Sequence, residues 1–412
     1  MTAAAEVAAR VARESYGKLV AFLAARDRDL AAAEDALADA FAAALESWPR
    51  AGVPSNPEGW LVVAARRRLA DAARKRRGAA EAAPTLNLMR DEPEETIIPD
   101  RRLALMFACA HPAIDEGVRA PLMLQTVLGL DAATIGSAFL VSPAAMGQRL
   151  SRAKAKIRLA GVPLRIPDAE LWPERMDAVL QAIYAAFSRG WSEAFSADGS
   201  ERGLGDEAIW LGRVAAALAP DDPEAAGLLA LMLYSDARRA ARRDAEGRYV
   251  PLAEQDVARW NGAAIEEAEA WLRRASLRRQ PGRFQIEAAI QSAHAARRNT
   301  GAVDWPAILA LYDGLLALTG SPIVALNRAV ALANVEGPAA GLAALLAAGE
   351  AAKLEDLQPY WAARADFEAR LGEAGAELSY ERAIGLETDP AARAFLLARL
   401  RGLRLGAAGE AG

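Results

Sequence analysis

A stretch with the side chains that read nucleic acid begins after a serine–proline pair. Gln148, Arg149 and Arg152 offer one amide and two guanidinium groups within about one helical turn. Such groups donate paired hydrogen bonds to base edges in the major groove, and cations neutralise phosphates. Ser142 and Pro143 predict a helix start, because the serine oxygen can accept an unpaired backbone N–H and proline has none to leave unpaired. The chemistry favoured here is binding rather than catalysis.

The helix predicted after Ser142 has a single apolar face. Its members recur every three or four residues: Met146, Leu150, Ala153 and Ile157. A shorter helix capped by Asp131 precedes it, so the two predict a helix-turn-helix. The competing interpretation is the charged, solvated end of a helical hairpin. Nucleic acid is favoured by a basic series that contains no acid: Arg152, Lys154, Lys156, Arg158 and Arg165.

A second basic helix is predicted earlier in the chain, within residues 56–77. Its buried stripe would be formed by Leu61, Ala65, Leu69 and Ala72. From position 66 onward the segment has seven basic residues and one acidic residue, Asp71. That charge can neutralise several phosphates. A solvated basic surface is the alternative, and Trp60 taken alone is more typical of a core than of a base-stacking platform.

A third segment carries acid instead of base. Glu34, Asp35 and Asp39 form a predicted acidic face on an amphipathic helix whose apolar seam is Leu37, Phe41, Leu45 and Trp48. Read alone, this segment is an ordinary surface helix.

Catalytic, metal and cofactor chemistry find little support. There is no Ser/His/Asp set, P-loop, GxGxxG or paired catalytic carboxylate at motif spacing, so we expect neither an enzyme nor a cofactor. Cys109 and the two histidines, His111 and His294, have no partner at metal-ligand spacing, and His294 is expected to be structural. The single cysteine and the absence of long apolar segments predict a cytoplasmic protein without membrane contact.

The elements that position these residues are all helical. Apolar spacing near 3.6 and the lack of alternating β-branched runs predict an all-α fold. Proline and acidic clusters predict a flexible linker at 79–100 between domains at 1–78 and 101–165, and an extension follows at 166–412. Residues 1–165 hold 23 basic and 19 acidic side chains, whereas the remainder holds 26 and 35. The acidic total therefore does not exclude nucleic acid.

The order of these segments resembles extracytoplasmic-function sigma factors of the sigma-70 family. The matching order is an acidic helix, a proline turn with tryptophan (Asn56 to Trp60), an arginine-rich helix, an acidic linker and a helix-turn-helix. The resemblance implies a sigma-2 helical bundle at 1–78 and a sigma-4 domain at 101–165. It also implies a protein that binds core RNA polymerase, through its β′ clamp and β flap, and promoter DNA. Ala38 and Leu140 depart from the family's usual glutamine and glycine.

The resemblance also assigns residues to roles. It implies that Glu34, Asp35 and Asp39 contact core polymerase. The minus-ten element would be served by Asn56, Trp60, Arg66, Arg67, Arg74 and Lys75. The minus-thirty-five element would be read by Ala145, Gln148, Arg149 and Arg152.

The extension resembles that of one subgroup, which carries a C-terminal tetratricopeptide-like regulatory domain. Segments such as Gln285 to Ile290 and Ser321 to Val330 carry this likeness, which implies modulation of sigma activity and, as a further partner, a small DGPF/YCII-type protein. Arg238, Arg239, Arg242 and Arg243 are read either as a partner-binding patch or as a self-neutralised surface. The rival function is a helix-turn-helix regulator with a helical sensor domain that never engages core polymerase.

Overall fold

The computed structural model describes residues 3–27, 29–76, 98–139, 141–193, 204–352 and 354–410. It divides the chain into two compact units, Met1–Ala219 (unit 1) and Pro220–Gly412 (unit 2). The all-α prediction is confirmed: the described residues contain no strand, only an isolated bridge between Arg243 and Tyr249. Across this part of the chain, no helix is long and apolar enough to cross a membrane.

Unit 1 contains the predicted DNA-facing segments. Its helices are α1 (Ala3–Asp27), α2 (Leu30–Ala51), α3 (Pro57–Arg76), α4 (Arg102–Cys109), α5 (Glu116–Leu128), α6 (Ala132–Ala138), α7 (Pro143–Leu159), α8 (Trp172–Glu193) and α9 (Leu204–Leu218). The predicted linker at 79–100 lies outside the described residues except for 98–100.

Helix α5 lies at the centre of unit 1. It contacts α1, α4, α6, α7, α8 and α9, and Leu122, Met123 and Leu124 are fully buried. Gly17 allows α1 to approach it closely, because a Cβ there would lie 2.2 Å from the carbonyl oxygen of Val127. The α1–α3 bundle therefore packs directly on the helices that carry α7.

Helix α8 completes the same core. Trp172 packs edge-on against Phe107 with ring centroids 5.2 Å apart, and Met176 and Val179 are buried. Arg175 donates a hydrogen bond to the carbonyl oxygen of Phe107. Helices α8 and α9 thus belong to unit 1, although the sequence assigns residues 166–412 to one extension.

Unit 2 is a succession of helices, most of which pack on their neighbours in the chain. They are α10 (Pro223–Ala237), α11 (Gly262–Ser276), α12 (Arg283–Ala295), α13 (Arg297–Thr300), α14 (Trp305–Thr319), α15 (Pro322–Val335), α16 (Pro338–Ala352), α17 (Gln358–Leu371), α18 (Ala376–Leu386) and α19 (Pro390–Glu410). Short 3₁₀ turns occupy Arg239–Ala241, Leu252–Glu254, Val257–Arg259 and Leu354–Asp356. Separate apolar clusters follow one another along the unit, centred on Ile308, Leu345 and Ala383.

Candidate nucleic-acid and polymerase interface

Helix α7 presents the amide and guanidinium groups on its exposed side. Ser142 caps the helix by accepting the backbone N–H of Ala145 at 3.3 Å, and Pro143 occupies the first turn. The apolar stripe is buried as predicted: Met146, Leu150, Ala153 and Ile157. Gln148, Arg149 and Arg152 are exposed, and Ala145 is half-buried. The structure therefore brings the predicted reading residues together on one accessible face.

Helix α6 fixes the position of α7. Asp131 accepts the backbone N–H groups of Ala133 and Thr134, each at 2.8 Å, and these bonds hold the pKa of its carboxyl below the ordinary value. The Val141 N–H donates to the Gly136 carbonyl at 2.8 Å. A Cβ at Gly136 would lie 2.7 Å from the Val141 oxygen, so glycine permits this tight connection. Leu140, which departs from the family pattern, lies outside the described residues.

A cleft of about 460 Å³ lies between α7 and the start of α5. Arg149, Arg152 and Lys156 line one side, and the first turn of α5 lines the other. Backbone N–H groups at a helix start attract anions, although here Asp115 caps the helix by accepting the Gly117 N–H. The three cations beside the exposed face suit a phosphate backbone.

Helix α3 carries the second set of cations. Its start is fixed by Asn56, whose side-chain oxygen accepts the Gly59 N–H at 2.8 Å. Trp60 is half-buried and meets Trp48 edge-on, with centroids 5.6 Å apart. Asn56 and Trp60 thus have local structural roles, which leave part of the Trp60 ring accessible.

The basic side chains of α3 are mostly exposed. Arg66 lies over the Phe22 ring, 4.9 Å from its centroid, and Arg67 is half-buried. Arg74 is exposed and pairs with Asp71. The side chain of Lys75 lies outside the described residues.

The predicted buried stripe of α3 is wrong in its second half. Leu61 and Ala65 are buried, but Leu69 is half-buried and Ala72 is exposed. The described buried side chains of α3 end at Ala65, so its second half is not covered by the helices that pack on its first half. More of this helix is accessible than the apolar spacing predicts.

The acidic residues of α2 divide between two environments. Asp35 and Asp39 are exposed, and Asp39 lies 3.8 Å from Arg68. Glu34 does not share that face: only 8% of it is exposed, and it forms an ion pair with Lys154 of α7. Burial raises the pKa of Glu34 above its ordinary value, which the attraction of Lys154 only partly offsets. The three acids therefore do not share one exposed face, contrary to the prediction from the sequence.

A second ion pair lies beside the first. Arg158 donates to Asp29 at 3.1 Å, and Asp29 also caps α2 by accepting the Ala32 N–H. Both pairs join the basic end of α7 to the first turns of α2. Sequence reasoning missed them because their partners are more than 100 positions apart; the acid-free basic series at 152–165 was the only local signal.

Two segments of the chain match known protein families. Residues 11–79 match sigma-70 region 2, and residues 175–276 match a family of unknown function, DUF6596. An uncharacterized protein of Rhizobium meliloti (strain 1021) is 39% identical over 384 residues, which cover 90% of each chain. The chain belongs to the family of that relative. No solved structure matches the chain significantly.

The sigma-70 region 2 domain contains α2 and α3, the acidic and basic helices described above. It supports a sigma factor role in promoter recognition, and it implies interaction with core RNA polymerase and promoter DNA. The DUF6596 segment begins in α8 and ends in α11, so it contains helices of both units.

Proposed function

We propose that this protein is a sigma factor of the extracytoplasmic-function type, which binds core RNA polymerase and directs promoter-specific initiation. The observation that carries the proposal is that one compact unit combines a region 2 domain with the exposed face of Gln148, Arg149 and Arg152. A region 2 domain alone supports interaction with core RNA polymerase. The exposed face of α7 adds a surface for duplex DNA.

In this proposal α6 and α7 are a helix-turn-helix that reads the minus-thirty-five element. The exposed amide and guanidinium groups of α7 enter the major groove, with half-buried Ala145 close to the bases. Lys156, at the cleft beside α5, holds a phosphate and fixes the register.

Helix α3 and the turn before it serve the minus-ten element. Arg66, Arg67, Arg74 and Lys75 supply positive charge along the second half of the helix, while Trp60 offers a partly accessible ring near Asn56. Unstacking a base costs a few kcal/mol, and capture of the base by stacking and backbone contacts offsets that cost.

Asp35 and Asp39 of α2 form the surface for the polymerase β′ clamp. Both are exposed on α2. Glu34 can join them only if α7 leaves α2, because its carboxylate is buried against Lys154. We expect the helix-turn-helix of α6 and α7 to bind the β flap of the polymerase.

Unit 2 modulates the activity of the sigma factor. Its successive packed helices and consecutive apolar clusters support a tetratricopeptide-like repeat, an architecture that presents an extended binding surface. A small DGPF/YCII-type protein is the partner that the resemblance suggests for it.

Transcription in vitro tests the proposal. Purified protein is mixed with core RNA polymerase and a genomic promoter library, and the transcripts are sequenced. We expect transcripts that start at a shared pair of elements. Tight DNA binding without core polymerase, together with no transcript, would instead identify a helix-turn-helix regulator.

Charge reversal on α2 separates polymerase binding from DNA binding. Asp35→Lys with Asp39→Lys should weaken core binding at least about tenfold, because two attractive contacts become repulsive. Glu46→Lys is the matched control, since Glu46 is also an exposed acid of α2. Full-length DNA binding should be unchanged in both. An equal loss of core binding and DNA binding in the double variant would refute the assignment of the two aspartates.

A further inference from the structure

Two ion pairs join α2 to α7, and both use cations of the basic series at 152–165. Lys154 donates to Oε2 of Glu34, and its side chain is only 12% exposed. Arg158 donates to Asp29 at 3.1 Å. The acids come from the domain that matches sigma-70 region 2, because the basic series itself contains none. Part of the charge expected to meet phosphates is therefore neutralised within the chain.

The carboxylate of Glu34 is only partly satisfied in this position. Its other oxygen, Oε1, is buried and has no hydrogen-bond partner among the described residues. An unpaired buried oxygen is unfavourable, and a buried ion pair adds little net stability unless further hydrogen bonds complete it. Such a pair suits a contact that forms and breaks better than it suits a permanent core.

The helices of unit 1 form two blocks, and the ion pairs lie between them. Helices α1–α3 pack on one another, and helices α4–α9 pack on one another around α5. The main contacts between the blocks are those of α1 with α4 and α5 and of α2 with α7. Glycines permit this close approach, since a Cβ at Gly129 would lie 3.0 Å from the Tyr16 ring. The two ion pairs thus belong to an interface and not to the interior of either block.

The packing of the two blocks limits how far apart the two DNA-facing sites can lie. Trp60 meets Trp48 near the end of α2, and Lys154 meets Glu34 near its start. Positions 34 and 48 are close to four helical turns apart, so both contacts lie on the same side of α2, about 21 Å from each other. Arg149 lies about 8 Å from Lys154 along α7, which places it within about 50 Å of the Trp60 ring.

A promoter requires a larger separation of these sites. The minus-ten and minus-thirty-five elements are about 25 base pairs apart, as their names state, and that length of straight duplex extends about 85 Å. The packed blocks therefore cannot bring α3 and α7 to both elements at once. The same packing also keeps the Glu34 carboxylate away from any partner other than Lys154.

We infer, on the basis of the proposed sigma factor function, that the packed blocks are a closed, autoinhibited state held by the Glu34–Lys154 and Asp29–Arg158 pairs. Core polymerase binds the open state, in which Glu34 is released from Lys154 and α3 separates from α7. Since only the open fraction binds, closure weakens the apparent affinity for polymerase in proportion. The reading face of α7 is exposed in the closed state, so closure does not limit binding to an isolated minus-thirty-five duplex.

A crosslink across the Asp29–Arg158 pair tests whether closure inhibits. Full-length Asp29→Cys/Arg158→Cys is joined with a short bis-maleimide, and the same protein capped with N-ethylmaleimide is the matched control. The single native cysteine, Cys109, is buried, so the reagents label the introduced pair. The crosslinked protein should bind core polymerase at least about tenfold more weakly than the capped protein, and it should give no transcript. Both should bind equally to a minus-thirty-five duplex taken from a promoter that the wild type transcribes.

A distance measurement tests the opening without changing either ion pair. Nitroxide labels at Arg50→Cys and Leu159→Cys, both exposed positions, report the separation of α2 from α7 by pulsed electron spin resonance. The free protein should give a single distance below about 50 Å. Core polymerase should lengthen that distance by about 20 Å or more, as the spacing of the promoter elements requires.

Charge reversal at the more exposed pair should have the opposite effect to the crosslink. Arg158→Glu places a second carboxylate beside Asp29, so it should favour the open state and raise core affinity about threefold or more. Arg101→Glu is the matched control, because Arg101 is an exposed arginine at the start of α4. Equal core affinities of these two variants would contradict a role of the Asp29–Arg158 pair in closure.

Two further results would overturn the autoinhibited state. One is a crosslinked protein that binds core polymerase and transcribes as well as the capped control. The other is a label distance that stays the same when core polymerase binds. Failure of the proposed function would look different, because the unmodified wild-type chain would then give no transcript with core polymerase, and the closed state would lose its meaning as an inhibitor.

Discussion

At the scale of single residues, Arg149 and Lys156 lie on one helix but should contribute differently to promoter binding. Arg149→Ala should cost about 1–3 kcal/mol on the cognate duplex and relax discrimination at one base pair, because Arg149 contacts a base in the proposed complex. Lys156→Ala should weaken all duplexes alike and lower the slope of log affinity against log salt by about one, because Lys156 contacts a phosphate in the proposed complex. Fluorescence anisotropy on cognate and scrambled promoters at several salt concentrations measures both effects.

Arg158 supplies the control for this pair. It is a third cation of α7, but its guanidinium is directed to Asp29 of α2 rather than to the cleft. Arg158→Ala should therefore leave both the discrimination and the salt slope unchanged. Identical behaviour of all three variants would mean that α7 binds DNA only through its overall charge.

At the scale of elements, one of the two ion pairs that join α2 and α7 is buried. Lys154→Met leaves the Glu34 carboxylate buried without its cation, which should cost about 3–5 kcal/mol of folding free energy at pH 7. The pKa of Glu34 is already above the ordinary value, and removing Lys154 raises it further. Protonation of Glu34 removes the buried charge, so the loss should shrink as the pH falls. Urea denaturation at pH 7 and at pH 5 measures the change.

A compensating variant tests whether charge alone explains that loss. Glu34→Leu with Lys154→Met replaces the pair by apolar groups of similar size, and it should recover most of the stability. It should also remove the difference between the two pH values. A double variant as unstable as Lys154→Met would show that the geometry of the pair, and not its charge, holds α2 and α7 together.

At the scale of the whole molecule, patterns among neighbouring residues predict the helices correctly. Packing between distant residues explains why some predictions of burial are wrong. The cap at Ser142 and the stripe through Met146 and Leu150 depend on neighbours within four residues, so the sequence predicts them correctly. The burial of Glu34 depends on Lys154, which is 120 positions away. No periodicity carries that information, because burial of an acid is decided by which surface packs against it.

Long-range packing also determines which fragments of the chain fold stably. Fragment 1–165 ends at the predicted sigma-4 boundary and removes α8, which covers Phe107 through Trp172 and buries Met176 and Val179. Exposing this apolar surface should lower the melting temperature of fragment 1–165 by several degrees or more relative to fragment 1–219. It should also increase the binding of a hydrophobic dye, because the core of α4 and α5 becomes accessible.

Thermal unfolding followed by circular dichroism compares the two fragments with the full chain. Fragment 1–219 should unfold in one cooperative transition, because it contains every helix that packs on α5. Equal stability of the two fragments would show that α8 is not part of the folding unit. In that case residues 166–219 would belong functionally with the extension. The predicted outcome instead makes α8 a structural part of the unit that carries α7, since α8 contacts α5 and α5 contacts α7.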